Sequence, residues 1–323
     1  MRILALESGG TKLVAALVDE KARVLERRRR RRDPGSRAAD TVAQLIALGR
    51  ELLGGGDVAA VGWGFGGVVR RSDGFPLHCY HEPGWGAYDA PGRLREAFQV
   101  PVFTENDGNL AALAEAWPGV DEPPERSLLY VTLGTGVGGG FVQAGRIFCS
   151  GDAGEVEIGH VVHDPAGPPC PCGNRGCVEQ YCSGPAVERR AAEVTGRRWS
   201  GAELMAAFRS GDAVAGQVAA EAAGVLGRAL AAAVNLLAAE VVVLGGGLSQ
   251  DNDPFVRLVE KETRPFVFPP FREGLRFRRS RWGEDVVCRG AAIHALQQLG
   301  VWPEVAGERR VAGGAGNSGT TGG

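Results

Sequence analysis

Short apolar runs broken by glycine divide the chain into a repeating pattern. Residues 2–6 and 13–18 are apolar arms around Gly9 and Gly10, which predicts a hairpin. The run of six arginines at 27–32 predicts an exposed or edge strand whose charges are solvated and discourage edge pairing, with no ligand assigned to it. Helical periodicity follows over 37–53, a strand over 59–64, a short helix over 91–98 and a strand over 100–104 that runs into Glu105, Asn106 and Asp107. A helix is expected over 109–117. A second series then begins with strands at 127–133 and 139–143 around the turn GTGVGGG. Helices at 185–194, 201–209 and 213–239, a strand at 241–244 ending on three glycines, and a final helix at 290–299 complete it. The apolar run 229–244 is interrupted by Asn235 and Glu240 and turns from Ala/Leu-rich to Val-rich, so it reads as a buried helix feeding a buried strand and not as a membrane span. Two halves, each opening on a hairpin with Gly and Thr in its turn, predict a duplicated α/β architecture with two lobes around a cleft, the usual place for a ligand.

Composition narrows the function. The chain has 323 residues, 44% hydrophobic and 23% charged, enough for a large core or two medium ones. A formal charge of −2 offers no electrostatic footprint for nucleic acid or an anionic membrane, so neither is an expected partner. Nearly all positive charge is Arg; Lys12, Lys21 and Lys261 are the three lysines. Seven cysteines without a leader-like start predict a reducing, cytoplasmic setting. The tail over 307–323 is low-complexity and expected to be disordered.

The chemistry concentrates in three places. Cys170, Cys172 and Cys177 form Cys-x-Cys-x4-Cys in a Gly- and Pro-rich loop, with His160 just upstream. Thiolates and one imidazole at such spacing suit a closed, tetrahedral, structural Zn²⁺ site; the bland alternative is scattered reduced cysteines. The turns 7–12 (ESGGTK) and 134–140 (GTGVGGG) can bring backbone amides to an anion, and the glycines at 245–247 add a third such place. Neither turn is a P-loop or a dinucleotide fingerprint, because each joins two strands. Asp107 stands between a strand and a helix, where it either caps the helix or serves as a base at the carboxyl end of a strand.

Taken in order, GGTK at 9–12, END at 105–107, LGTGVGGG at 133–140, EIGH at 157–160, CPCGNRGCVE at 170–179 and LGGG at 244–247 resemble the ROK family of sugar kinases and sugar-responsive repressors over residues 1 to about 300. The resemblance implies an actin-like, ribonuclease-H-like duplicated α/β fold and ATP-dependent phosphorylation of a hexose or hexosamine hydroxyl, glucokinase- or fructokinase-like. It implies Asp107 as the general base. Gly66, Gly67, Asn106, Glu157, His160 and Glu179 would hold the sugar, with His160 binding zinc through one ring nitrogen and facing the sugar with the other. Glu7, Gly9, Gly10, Thr11, Lys12, Gly134, Thr135 and Gly136 would meet the phosphates and Mg²⁺, and Gly245 and Gly246 the adenosine. It further implies a homodimer. The lobes are expected at 1–107 plus 289–302 and at 108–288, the latter carrying the zinc loop. Glu7 replaces the family's usual Asp, as in the fructokinase-like branch, Val156 its usual Gly, and Ala239-Glu240 its usual Asp-Pro. The alternative is a non-catalytic sugar sensor; a repressor is disfavoured because the first strand is expected to begin at Arg2, with no DNA-reading module ahead of it.

Overall fold

The computed structural model describes residues 1–33, 35–80, 82–148, 151–153 and 156–303. The tail expected to be disordered lies outside the described residues. The chain opens with a meander of β1 (Arg2–Ser8), β2 (Lys12–Asp19) and β3 (Val24–Arg31). Next come α1 (Ala38–Leu53), β4 (Ala60–Phe65), a small hairpin of β5 (Val68–Arg70) and β6 (Phe75–His78), α2 (Ala90–Phe98) and β7 (Val102–Asn106). After α3 (Asp107–Ala116) a second meander follows: β8 (Ser127–Leu133), β9 (Val137–Gln143) and β10 (Arg146–Ile147). Then come α4 (Glu179–Cys182), α5 (Gly184–Thr195), α6 (Gly201–Arg209), α7 (Ala213–Leu237) and β11 (Val241–Gly245). The chain continues through α8 (Asp253–Thr263), α9 (Pro269–Arg272), β12 (Arg276–Arg279) and α10 (Val286–Gln298).

The duplication is explicit in the sheets. One runs β3-β2-β1-β4-β7 and the other β10-β9-β8-β11-β12, each with two antiparallel pairings followed by two parallel ones. β1 and β11 are covered on both faces, which is why they read as nearly unbroken apolar runs. The cores form three layers. Leu4, Leu6 and Trp63 on the outer face of the first sheet pack under α1 and α2, and Leu129, Val131 and Leu244 on the outer face of the second pack under α5 to α8. Between the sheets lie α3 and α10, whose alanines and leucines join Ile3 and Val14 of one sheet to Tyr130 and Val243 of the other. Nine of the ten residues of α3 are buried, as suits a helix that is apolar all round. The proposed lobe boundaries fall at these two shared helices.

The helix expected to feed a buried strand is α7 followed by β11. By length and composition α7 could cross a membrane, but half of its apolar stretch is buried in the second lobe's core. The arginine run is an edge strand, as its sequence suggests. Arg27, Arg29, Arg30 and Arg32 end on Asp285, Glu284, Glu51 and Glu82 at 2.6–3.1 Å, so the run is largely neutralised on the spot. The strand expected at 100–104 ends two residues later, and the final helix begins four residues earlier, so both reach further toward the cleft than the pattern suggests. The β5–β6 hairpin, α8 and β12 carry no clear sequence signal.

Candidate active site

In an open sheet with parallel strands, ligands meet the carboxyl ends of the strands. Here two such sheets face each other, and six strand ends frame one cleft of about 620 Å³. β1 brings Glu7 near its end and then the turn Gly9-Gly10-Thr11, β4 is followed by Gly66, and β7 ends at Asn106, followed by Asp107. From the second sheet come the turn Gly134-Thr135-Gly136 after β8, Gly245 and Gly246 at β11, and Arg279 at β12. Glu157, His160 and Glu179 reach the same cleft from the cysteine loop, and Gly67 and Lys12 line it as well. Every residue expected to meet sugar or phosphate therefore faces a single cavity.

The capping question at β7 resolves cleanly. The N-cap of α3 is Asn106, whose side-chain oxygen accepts from Asn109 N–H at 3.1 Å, so the carboxylate of Asp107, the first helical residue, has no capping duty. Burial, and then the nearby Glu7 carboxylate, push its acid up to about 7, against the opposing pull of Gly108 N–H and Lys12. Gly66 packs against it: a Cβ at that position would lie 3.0 Å from Ser8 O and 3.3 Å from Asp107 Oδ2. Gly66 N–H also donates to Ser8 O at 3.0 Å, and Asn106 Nδ2 donates to Gly67 O at 3.2 Å, which holds the ends of β1, β4 and β7 together.

Glu7 is buried, and its acid is raised by burial and lowered by Lys12, whose Nζ stands 3.3 Å from Oε1. Its Oε2 is buried with no hydrogen-bond partner among the described residues. A buried, unpartnered carboxylate oxygen beside a glycine turn is a donor set that suits a hydrated Mg²⁺. On the facing lobe, Gly134 N–H donates to Gly136 O at 3.0 Å, and Gly184 N–H at the start of α5 donates to Gly134 O at 2.8 Å, so the second turn is braced by a helix N-terminus. Gly246 has φ +83, the left-handed region, and a Cβ there would lie 2.5 Å from Leu133 O.

The cysteine loop fits a metal. Single ligand atoms of His160, Cys170, Cys172 and Cys177 all lie within 4.8 Å of one another. Cys172 Sγ and Cys177 Sγ are 3.6 Å apart, as are Cys170 Sγ and His160 Nδ1. A tetrahedral ion with Zn–S bonds of about 2.3 Å spaces its sulfurs roughly 3.8 Å apart, so the cluster is already near closure. The loop is pinned by Cys170 N–H donating to Asn174 O at 2.8 Å and by the bridge of Val162 to Cys177. His160 has Nδ1 3.6 Å from Cys170 Sγ and Nε2 3.8 Å from Glu157 Oε2 on the cleft side. Glu179, the first residue of α4, accepts from Val137 N–H at 2.9 Å, tying the loop to the second glycine turn. Burial raises the acid of Glu157, partly offset by His160.

Sequence reasoning did not single out His78 or Tyr80, both in the cleft wall. Tyr80 is edge-on to His78 at 4.6 Å and to His160 at 5.7 Å, so it reaches the cysteine loop from beyond the β5–β6 hairpin. Arg29 was given no role, yet it reaches the cleft rim, where Glu284 takes it at 2.9 Å.

Two lobes of matching topology, a cleft of glycine turns and a half-buried carboxyl near neutrality define a two-lobed, actin-like phosphotransferase with an alcohol acceptor, of the sugar-kinase type. The comparisons give the family: residues 3–298 match the model of the ROK family, and the chain belongs to it. It is 30% identical over 317 residues to a glucokinase of Halalkalibacterium halodurans, covering 91% of this chain and 95% of that protein. It is 36% identical over 255 residues to a kanosamine kinase of Amycolatopsis mediterranei, covering 76% and 80%. Among solved structures, a ROK family glucokinase from Streptomyces griseus in complex with glucose and AMPPNP superposes with a TM-score of 0.80 at 28% identity, covering 90% of this chain and 98% of that one.

Proposed function

We propose that the protein transfers the γ-phosphoryl group of Mg-ATP to a hydroxyl of a hexose or hexosamine, with Asp107 as the general base. The observation that carries this reading is Asp107 itself. It is a carboxyl at the carboxyl end of a strand, free of capping duty, titrating near neutrality and facing the first glycine turn. A base whose pKa lies near the working pH takes a proton most effectively. Asp107 accepts the hydroxyl proton as the sugar oxygen attacks the γ-phosphorus in line and ADP leaves with the electron pair of the breaking P–O bond.

The chain's other residues position. Lys12 and the amides of the turns at 9–11 and 134–136 hold the phosphate oxygens, and Gly245 and Gly246 let the adenosine lie against the end of β11. Glu7 would hold a hydrated Mg²⁺, which when bound would neutralise charge on the phosphates. Glu157, His160, Glu179 and Asn106 hold sugar hydroxyls, and Gly66 and Gly67 let the ring approach the backbone. Cys170, Cys172, Cys177 and His160 would hold a structural zinc, and His160, so held, would keep its imidazole toward the sugar. Thiolates in that set suit a reducing cytoplasm, and a homodimer completes the reading.

An ADP-release assay with Mg-ATP against hexoses and amino sugars tests the proposal. Turnover on one or a few sugars is expected; sugar binding without turnover on any would instead favour a sensor.

A further inference from the structure

Glu105, the residue before the strand-to-helix corner, has no part in the reaction as described. Its carboxylate is nonetheless buried and fully engaged, the residue being 3% exposed. Oε1 accepts from Asn106 N–H at 2.9 Å and from Asn109 Nδ2 at 3.2 Å, and Oε2 takes the guanidinium of Arg71 at 3.0 Å. The first two bonds fix the corner on which Asp107 stands. The third leaves the corner and reaches the tip of the β5–β6 hairpin.

That tip also crosses to the second lobe. Arg71 N–H donates to Asp152 O at 2.7 Å, and Ser72 donates to the Asp152 carboxylate from its N–H at 2.9 Å and its hydroxyl at 3.1 Å. Just past the hairpin's other end, Tyr80 meets His160. The hairpin thus spans the cleft beside the residues proposed to hold sugar, and Glu105 is where it is tied to the base.

We infer that Glu105 is a positioning residue that, through Arg71, couples the orientation of Asp107 to the contact of the β5–β6 hairpin with Asp152 across the lobes. The inference rests on the sugar-kinase reading. When the lobes meet over a sugar, Asp152 holds the tip, the tip holds Arg71, and Arg71 holds Glu105 and the corner in the arrangement that aims Asp107 at the hydroxyl. Small misplacements of a reacting group cost large factors in rate. Residues in one network also lose activity non-additively when cut.

The test is a double-mutant cycle of Glu105→Gln and Asp152→Ala, read as kcat and as KM for sugar and for ATP. Glu105→Gln should lower kcat at least about tenfold. Asp152→Ala, an exposed change, should lower kcat and raise the sugar KM, each several-fold. The KM for ATP should stay within about twofold in both, and the double variant should lose clearly less than the product of the single losses. Losses that multiply, an Asp152→Ala protein indistinguishable from wild type, or an ATP KM that moves as far as the sugar KM would overturn the inference. Should Glu105→Gln not fold, Arg71→Lys enters the same cycle. Sugar affinity measured by calorimetry without ATP runs the cycle independently of turnover, so failure of the kinase reading and failure of this coupling are told apart.

Discussion

At the scale of single residues, the acidity of Asp107 governs both stability and the proposed catalysis. An unfolded aspartate titrates near 4 and the folded one near 7, so between those values the folded state holds a proton that the unfolded state has released. Its contribution to stability is therefore most favourable at low pH and is lost as pH rises from about 4 to 7. Asp107→Asn should melt at a higher temperature than wild type at pH 8, with the gap closing toward pH 4, as scanning calorimetry would show. In the proposed role activity runs the other way, because a general base works ionised: kcat/KM for sugar should fall about tenfold per unit below pH 7. A flat profile from pH 5 to 8 would contradict the assignment. The sequence showed that Asp107 stood at a strand-helix junction but left capping open. The choice needed the side chain of Asn106, which takes the cap, and the burial that comes from packing two sheets around α3.

At the scale of elements, the cysteine loop and the glycine turns were legible because their chemistry lies within a few residues. Cys172→Ala should abolish zinc binding by the proposed site and lower the melting temperature by several degrees; an unchanged metal content by atomic absorption would contradict the zinc assignment. Gly66→Ala would place a methyl against Ser8 O and Asp107, and should lower kcat/KM by about tenfold to a hundredfold with a smaller effect on melting. The β5–β6 hairpin stayed hidden. Its strands are three and four residues long, one contains Pro76, and its partners, Glu105 and Asp152, lie far along the chain. Contacts set by tertiary structure leave no periodicity to read.

For the whole molecule, the two hairpin-opened halves foretold the duplication, and the same strand order in both sheets displays it. What no local pattern could convey is that both sheets share one middle layer, so that α3 carries Asp107 out of the first sheet and packs against the second. That shared layer brings the glycine turns of one half opposite Asp107 of the other. The most direct measurement is ADP release and sugar binding by wild type and Asp107→Asn, side by side, on the sugar that wild type uses best. Turnover is expected to fall by about a hundredfold or more in the variant, with sugar affinity retained within a few-fold. Turnover by the variant at the wild-type rate would contradict it.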